Sequence, residues 1–175
     1  MKHPLLLVLL AMWCSTSLAQ IDPGGRPRYN DIEETVVPTE LDVEPPSFPR
    51  DENLREIYVS PNATNRYLID ASTLAVGSDR IVRYTLVVQA AGGARNITFE
   101  GMQCKARDWR LYATGRNDGT WSKARISEWR PIENKPVNRH HAALSREFFC
   151  PQGGHILSAN EGRNALRLGK HPSVN

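Results

Sequence analysis

The chain has few cysteines and no apolar run long enough to cross a membrane. Its longest apolar run, Pro4 to Trp13, covers about ten residues, whereas a membrane-spanning helix takes roughly 20. Only 3 of its 175 residues are cysteine, and no Cys/His group has zinc-site spacing. No internal repeat is evident. We therefore expect no membrane-spanning helix, no zinc-dependent fold and no repeat architecture.

Motifs for nucleophilic and phosphate chemistry are missing as well. There is no G-x-S-x-G sequence, which would mark a serine nucleophile on a strand–turn–helix. Gly92-Gly93 lies between two predicted strands, so it does not open a helix as a phosphate-binding loop would. We therefore expect a protein that is not an enzyme, with no cofactor and no metal; a hydrolase acting on envelope polymer is the remaining catalytic alternative.

The N-terminus has the pattern of a secretory signal peptide. Lys2 and His3 precede the apolar run, and Ser17 to Ala19 supply the small residues of a cleavage site. Cys14 follows a bulky tryptophan, which does not fit a lipoprotein cleavage site. We therefore expect residues 1–19 to be removed and the protein to be exported or secreted without a lipid anchor.

Residues 20–53 are rich in proline and acidic residues and poor in large apolar ones. From Gln20 to Glu56 there are 10 acidic residues and 4 arginines, whereas from Ile57 to Asn175 there are 17 basic and 9 acidic residues. Such a composition buries too little apolar surface to offset the entropy of ordering. We predict a disordered acidic leader over 20–53, whose Phe48-Pro49 end is able to dock on the domain.

Residues 54–170 are predicted to form one α+β domain, followed by a tail at 171–175. Period-2 alternation and β-branched residues indicate an antiparallel meander of about five or six strands, at 55–60, 65–70, 80–91, 95–105, 108–114 and, as a last strand or irregular edge, 121–130. Helical spacing follows at 138–149 and 158–168, where Ser158 and Glu161 have the spacing of a capping box.

Two cysteines remain after signal-peptide removal, and in an exported chain they predict one disulfide, Cys104–Cys150. Cys104 lies in a predicted strand and Cys150 directly follows a predicted helix, so the bond ties that helix to the sheet. A closed loop of this length stabilises a fold by roughly 4 kcal/mol in the chain-entropy model.

Arginines alternate with aromatic residues between the two cysteines, a composition suited to stacking and to anionic partners. The alternative is that Trp109 and Trp129 anchor the core while the arginines face outward. His140 and His141 are helical neighbours that diverge by about 100°, which suits hydrogen bonding or ligand binding better than joint metal ligation. The candidate binding residues are Arg107, Arg110, Arg116, Arg125, Arg130, Arg139, His140 and His141.

These motifs also carry a resemblance to known proteins. The run YLIDASTLAVGSDRIVRYTLVVQAAGGARNITFEGMQC, followed by WRLYATGRNDGTW, SEWRPI and NRHHAALSREFFCP, resembles the cryptic-neisserial-protein-like family over about residues 48 to 170. These are small exported bacterial proteins of unknown function. The resemblance implies a periplasmic or outer-envelope protein and assigns no activity and no site residue.

The chain is also weakly similar to the surface-adhesin E-like family. That similarity implies a helix pinned to an antiparallel sheet by a disulfide, and adhesion to host or envelope components. The matching positions are Tyr67, Asp70, Cys104, Trp129, Pro131, Ile132 and Cys150.

Taken together, these patterns predict a non-catalytic envelope binding or interaction module. Surface adhesion is the alternative function. The expected partner is an unknown envelope protein or an anionic polymer, and nucleic acid is not expected.

Overall fold

Eight antiparallel strands form one sheet in the computed structural model, which describes residues 39–174. Their bounds are β1 Leu54–Ile57, β2 Arg66–Asp70, β3 Ala75–Val76, β4 Val82–Gln89, β5 Arg95–Gln103, β6 Asp108–Gly115, β7 Trp121–Lys123 and β8 Arg130–Pro131. The predicted signal peptide and residues 20–38 of the predicted leader lie outside the described residues.

The strands follow the order β1-β2-β4-β5-β6-β7, with β3 paired to β4 and β8 paired to β6. The predicted antiparallel sheet is confirmed. The two-residue strands β3 and β8 are additions that the sequence pattern did not indicate as separate strands. The residues of β4 from Val82 to Val87 are all buried, because this strand lies in the middle of the sheet and both of its faces are covered.

Helices cover one face of the sheet. The predicted helix at 138–149 consists of α1, Arg139–Ala143, continued by a π-helix, Leu144–Phe149. Short 3-10 helices form at Asp51–Asn53 and Pro151–Gly153. The last helix, α2, spans Ala159–Leu168.

Both ends of α2 are where the sequence predicts them. The Ser158 hydroxyl accepts a hydrogen bond from the Glu161 amide at 3.2 Å, and the Glu161 carboxylate accepts one from the Leu157 amide at 2.6 Å. Gly169 ends the helix with φ of 79°, a left-handed conformation that glycine adopts without a steric penalty.

No helix among residues 39–174 is long and apolar enough to cross a membrane.

The core lies between this helical layer and the sheet. Among its fully buried side chains are Tyr84, Met102, Leu144, Phe149 and Ile156. The predicted Cys104–Cys150 disulfide is present, with the two Cα atoms 5.4 Å apart. It links the residue after β5 to the residue after the π-helix, so the predicted attachment of helix to sheet is confirmed.

The opposite face of the sheet is contacted by residues 39–50, which we call the leader segment. Arg83 lies on this face because neighbouring side chains of a strand alternate, and Tyr84 points to the helices. The Arg83 guanidinium donates to the Leu41 carbonyl at 3.3 Å, and the Leu41 amide donates to Asp79 at 2.8 Å. The prediction of disorder up to residue 53 is therefore wrong for residues 40–53, because polar and aromatic contacts with distant strands hold them.

Candidate functional site

The eight predicted binding residues do not form one site. Arg110 is engaged within the protein: its guanidinium donates to Glu40 at 2.7 Å and to Ser127 at 2.9 Å. Arg116 is exposed after β6 and donates to Ser122 at 3.2 Å. Arg125 is exposed and makes no side-chain hydrogen bond or ion pair to the described residues.

Glu40 of the leader segment is the centre of the polar contacts on the leader face. Its carboxylate accepts hydrogen bonds from Arg110 at 2.7 Å, from the Tyr112 hydroxyl at 2.8 Å and from the Trp129 indole at 3.0 Å. Burial and the hydrogen bond to Glu40 raise the pKa of Tyr112 above its ordinary range. Part of the Arg/aromatic pattern is thus used to hold a segment of the chain itself.

A buried ion pair lies next to this carboxylate. Arg83 and Asp79 are 2.5 Å apart and almost fully buried. Burial by itself would raise the pKa of Asp79, but hydrogen bonds from Arg83 and from the Leu41 and Ile81 amides outweigh it and lower that pKa. The leader segment therefore supplies one of the donors that keep Asp79 ionised.

The tryptophans differ from the prediction of core anchors, because Trp109 and Trp129 are only half-buried. Trp129 donates to Glu40, and the ring of Trp109 stacks on His141 with centroids 3.8 Å apart. Trp121 donates to the Pro46 carbonyl at 2.8 Å, and its ring lies 5.3 Å from that of Phe48. The predicted docking of the Phe48 end is present.

Three of the predicted arginines lie around Trp109, and we call this group (Arg107, Arg130, Arg139 and Trp109) the basic end. Arg130 is paired with Trp109 across β6 and β8, and its guanidinium carbon lies 5.9 Å from the ring centroid. Arg107 precedes β6, and Arg139 begins the helix whose His141 stacks on the Trp109 ring. None of the three arginines makes a side-chain hydrogen bond or ion pair with the described residues.

Beneath the basic end lies a buried Glu–His pair. His141 Nε2 is 2.9 Å from Glu100 Oε2, and the Thr98 hydroxyl donates to Glu100 Oε1 at 2.7 Å. Burial would raise the pKa of Glu100, but the charge and hydrogen bond of His141, helped by Thr98, lower it. Glu100 is therefore an ionised carboxylate with defined partners inside the core.

His140 lies beside this pair in a different environment. Its ring stacks on Tyr67 at 5.0 Å and lies 4.1 Å from the ring of His141. Burial and the charge of His141 lower the pKa of His140 to about 4, so the ring is neutral at pH 7. The contacts continue in a row of rings that ends in a cation: Tyr67, His140, His141, Trp109 and Arg130.

The chemistry open to these groups is limited. A His–carboxylate pair orients the base in many hydrolases, but the buried Nδ1 of His141 has no hydrogen-bond partner, and neither does the buried Tyr84 hydroxyl. A triad needs a nucleophile at that nitrogen, and no hydroxyl or thiol of the described residues bonds to it. Among residues 39–174 no group of three His, Cys, Asp or Glu side chains could hold a metal.

Sequence reasoning missed the two carboxylates that organise these clusters. Glu100 could have been found, because alternation in β5 places it on the same face as Met102 and Cys104 and therefore in the core. Glu40 carried no such indication, since nothing local distinguishes it from the other acidic residues of the leader. It is identified only by its contacts with β6 and Trp129.

The fold and these clusters define a class: a small disulfide-linked α+β domain with a single antiparallel sheet, a basic end and no assembled catalytic set among the described residues. The model of the CNP1-like family matches residues 34–167, and the chain belongs to this family, as the resemblance to cryptic-neisserial-protein-like sequences predicted. No curated protein and no solved structure matches the chain.

Proposed function

We propose that this protein is a non-catalytic envelope binding module that takes an anionic polymer at its basic end. The observation that carries the proposal is the group of three arginines around Trp109 that have no acidic partner among the described residues. The unpaired guanidinium groups offer charge and paired hydrogen-bond donors to an anionic ligand, and the Trp109 ring, which contacts His141 and Arg130, holds Arg130 in place.

Ion pairing neutralises some of the described arginines and leaves the others with their charge. Within residues 39–174, six arginines form ion pairs with carboxylates: Arg50, Arg66, Arg83, Arg95, Arg110 and Arg146. Neutralised arginines contribute little to the attraction of an anion, whereas unpaired ones add their full charge to the local field. The positive potential available to a partner therefore comes from the arginines without a carboxylate partner, and Arg107, Arg130 and Arg139 are three of these.

A polymer is favoured over a protein partner by the distribution of apolar surface. The large exposed apolar side chains of the described residues come from different segments of the chain: Leu41, Tyr58, Ile126, Val137, Leu157 and Leu168. Protein interfaces tend to have a contiguous apolar centre. A charged chain does not require one, because it is held by separate electrostatic contacts.

The test measures binding of dextran sulfate to the full chain by isothermal titration calorimetry, with uncharged dextran as the ligand control. We expect binding in 50 mM salt that weakens at 200 mM salt, because screening acts on exposed charges. The double variant R130A/R139A should bind at least about 10-fold more weakly. The matched control R116A/R125A removes two exposed arginines outside the basic end and should stay within about 2-fold of wild type. Equal loss in both variants, or no binding at 50 mM salt, would refute the proposal.

A further inference from the structure

A cavity of about 480 Å³ opens beside the disulfide, between the β5–β6 turn and the end of the π-helix. Its apolar lining is formed by Ile132, Ala142 and the disulfide. Its polar lining consists of two arginines, two amides and a hydroxyl: Arg107, Arg146, Asn134, Gln152 and Ser145. A volume of several hundred Å³ with a mixed lining is typical of sites for small organic ligands.

Most of the polar groups in this cavity are not used by the protein. The side chains of Arg107, Asn134, Ser145 and Gln152 make no hydrogen bond or ion pair with the described residues. Arg146 donates to Glu147 at 2.6 Å, so its charge is partly neutralised. Four neighbouring side chains with free hydrogen-bonding capacity, one of them cationic, line the same space.

The backbone around the cavity is held in uncommon conformations. Of the three described residues other than glycine with positive φ, two line it: Arg107 at 59° and Gln152 at 54°. Arg107 is fixed by hydrogen bonds from its amide to the Cys104 carbonyl at 3.2 Å and from the Ile132 amide to its own carbonyl at 2.8 Å. Left-handed residues of this kind persist where surrounding contacts hold them, and they are frequent at ligand sites.

The helical wall has a second irregularity. The Cys150 amide donates to the Ser145 carbonyl at 2.9 Å, the i to i+5 pattern of a π-helix. Such segments often occur at functional sites, because the wider turn changes the direction of the side chains that follow. Here the π-helix joins Ser145 to Cys150, and both residues line the cavity.

We propose that this cavity binds a small organic anion with a carboxylate or phosphate head and a compact apolar body. Arg107 neutralises the head, and the amides of Asn134 and Gln152 and the Ser145 hydroxyl hydrogen-bond to its oxygens. The apolar body contacts Ile132, Ala142 and the disulfide. The site goes beyond polymer binding, because only Arg107 belongs to both the cavity and the basic end.

The probes are benzoate, phenyl phosphate, inorganic phosphate and benzyl alcohol, titrated into the full chain and followed by amide chemical shifts. Benzoate and phenyl phosphate should bind. Inorganic phosphate should bind at least about 3-fold more weakly than these two ligands, and benzyl alcohol should not bind. The shifted amides should lie at residues 104–107, 132–134, 142–146 and 150–153. Shifts confined to other residues, or equal binding of benzyl alcohol, would overturn the proposal.

Two variants separate loss of binding from loss of folding. Arg107→Gly and Gln152→Gly each remove a proposed contact while placing glycine at a left-handed position, so the melting temperature should be unchanged or higher. Benzoate affinity should fall at least about 10-fold in Arg107→Gly and about 3-fold in Gln152→Gly. The control variant R125A should keep the wild-type affinity. Wild-type affinity in both variants would overturn the site.

The same titration separates this proposal from polymer binding. The variant R130A/R139A should bind benzoate with an affinity within about 2-fold of wild type, although its binding of dextran sulfate is weakened. If dextran sulfate fails to bind wild type while benzoate still depends on Arg107 and Gln152, only the polymer proposal is lost. If benzoate affinity falls as far in R130A/R139A as in Arg107→Gly, the cavity proposal is lost.

Discussion

At the scale of single residues, His140 and His141 show how two neighbours of one type acquire different roles. His141 is buried and hydrogen-bonds to the Glu100 carboxylate at 2.9 Å. His140, one position earlier, stacks on Tyr67 and has an unpartnered buried Nδ1. A buried ring without a hydrogen-bond partner disfavours its charged form, which makes His140 a titrating group that acts on stability.

The sign of that effect follows from linkage. The pKa of His140 is lowered from 6.5 to about 4 in the folded protein, so the unfolded chain binds this proton first as the pH falls. Stability contributed by neutral His140 is present above pH 6.5 and is lost as the pH falls toward 4. Between pH 7 and pH 5 we expect a loss of about 2 kcal/mol from this group, measured by urea denaturation at the two pH values.

Replacing His140 with phenylalanine tests this directly. The phenyl ring keeps the stacking on Tyr67 and removes both the titration and the unpartnered nitrogen, so stability at pH 7 should be unchanged or higher. The loss between pH 7 and pH 5 should shrink by about 2 kcal/mol. An unchanged pH dependence in H140F would show that His140 does not titrate as described.

At the scale of elements, the leader segment is the largest departure from the sequence-based prediction. Residues 40–48 contact three parts of the domain: the Asp79–Arg83 pair, β6 through Arg110 and Tyr112, and Trp121. Proline and acidic residues indicate disorder only when their side chains and carbonyls have no partners. Here the partners lie on strands that are distant in sequence, so composition alone could not reveal them.

Truncation measures what this segment contributes. A chain beginning at residue 51 lacks the Glu40, Leu41 and Pro46 hydrogen bonds and leaves the buried Arg83 with one partner fewer. We expect its free energy of unfolding to be about 3 kcal/mol lower than that of a chain beginning at residue 39, at roughly 0.5 kcal/mol for each of the six hydrogen bonds lost. The single variant E40A should show part of the loss, and E44A, at an exposed position, should show none. Equal stability of the two truncated chains would mean that these contacts stabilise nothing.

The elements that sequence predicted are those whose determinants are local. The β4–β5 hairpin follows from alternation and from Gly93, whose φ is 86°, and α2 follows from its Ser158 cap and Gly169. The π-helix was not predicted, because Leu144 and Phe148 have the spacing of an ordinary helix. Its wider turn reflects the position that the disulfide and core impose on Phe149 and Cys150. Likewise β3 and β8 are only two residues long. They are recognised by their pairing with β4 and β6, because two residues are too few to show an alternating pattern in the sequence.

The candidate site was predicted only in part, for a related reason. Arginines between the two cysteines were expected to face outward, and sequence could not show which of them would meet a carboxylate. Arg110 is paired because Glu40 lies across β6, 70 positions earlier. Arg130 is unpaired because its neighbour across the ladder is Trp109. The functional difference between these two arginines is a property of the tertiary fold.

At the scale of the whole molecule, the disulfide joins the two halves of the architecture. It spans 46 positions and connects the sheet, after β5, to the helical layer that covers the core. Cross-linking restricts the unfolded chain more than the folded one, and a loop of this length corresponds to about 4 kcal/mol in the chain-entropy model. Since small domains have net stabilities of roughly 5–15 kcal/mol, one covalent bond accounts for a large share.

Removing the bond is therefore expected to change the stability of the entire domain. The double variant C104A/C150A should lose about 4 kcal/mol of unfolding free energy, measured by urea denaturation, with a lower midpoint in every structural probe because the domain unfolds as one unit. Wild-type protein should show a similar decrease in excess dithiothreitol, while the variant should be insensitive to the reductant. A variant as stable as oxidised wild type would show that packing of Phe148 and Phe149 under the sheet is sufficient, and that the covalent link adds no stability.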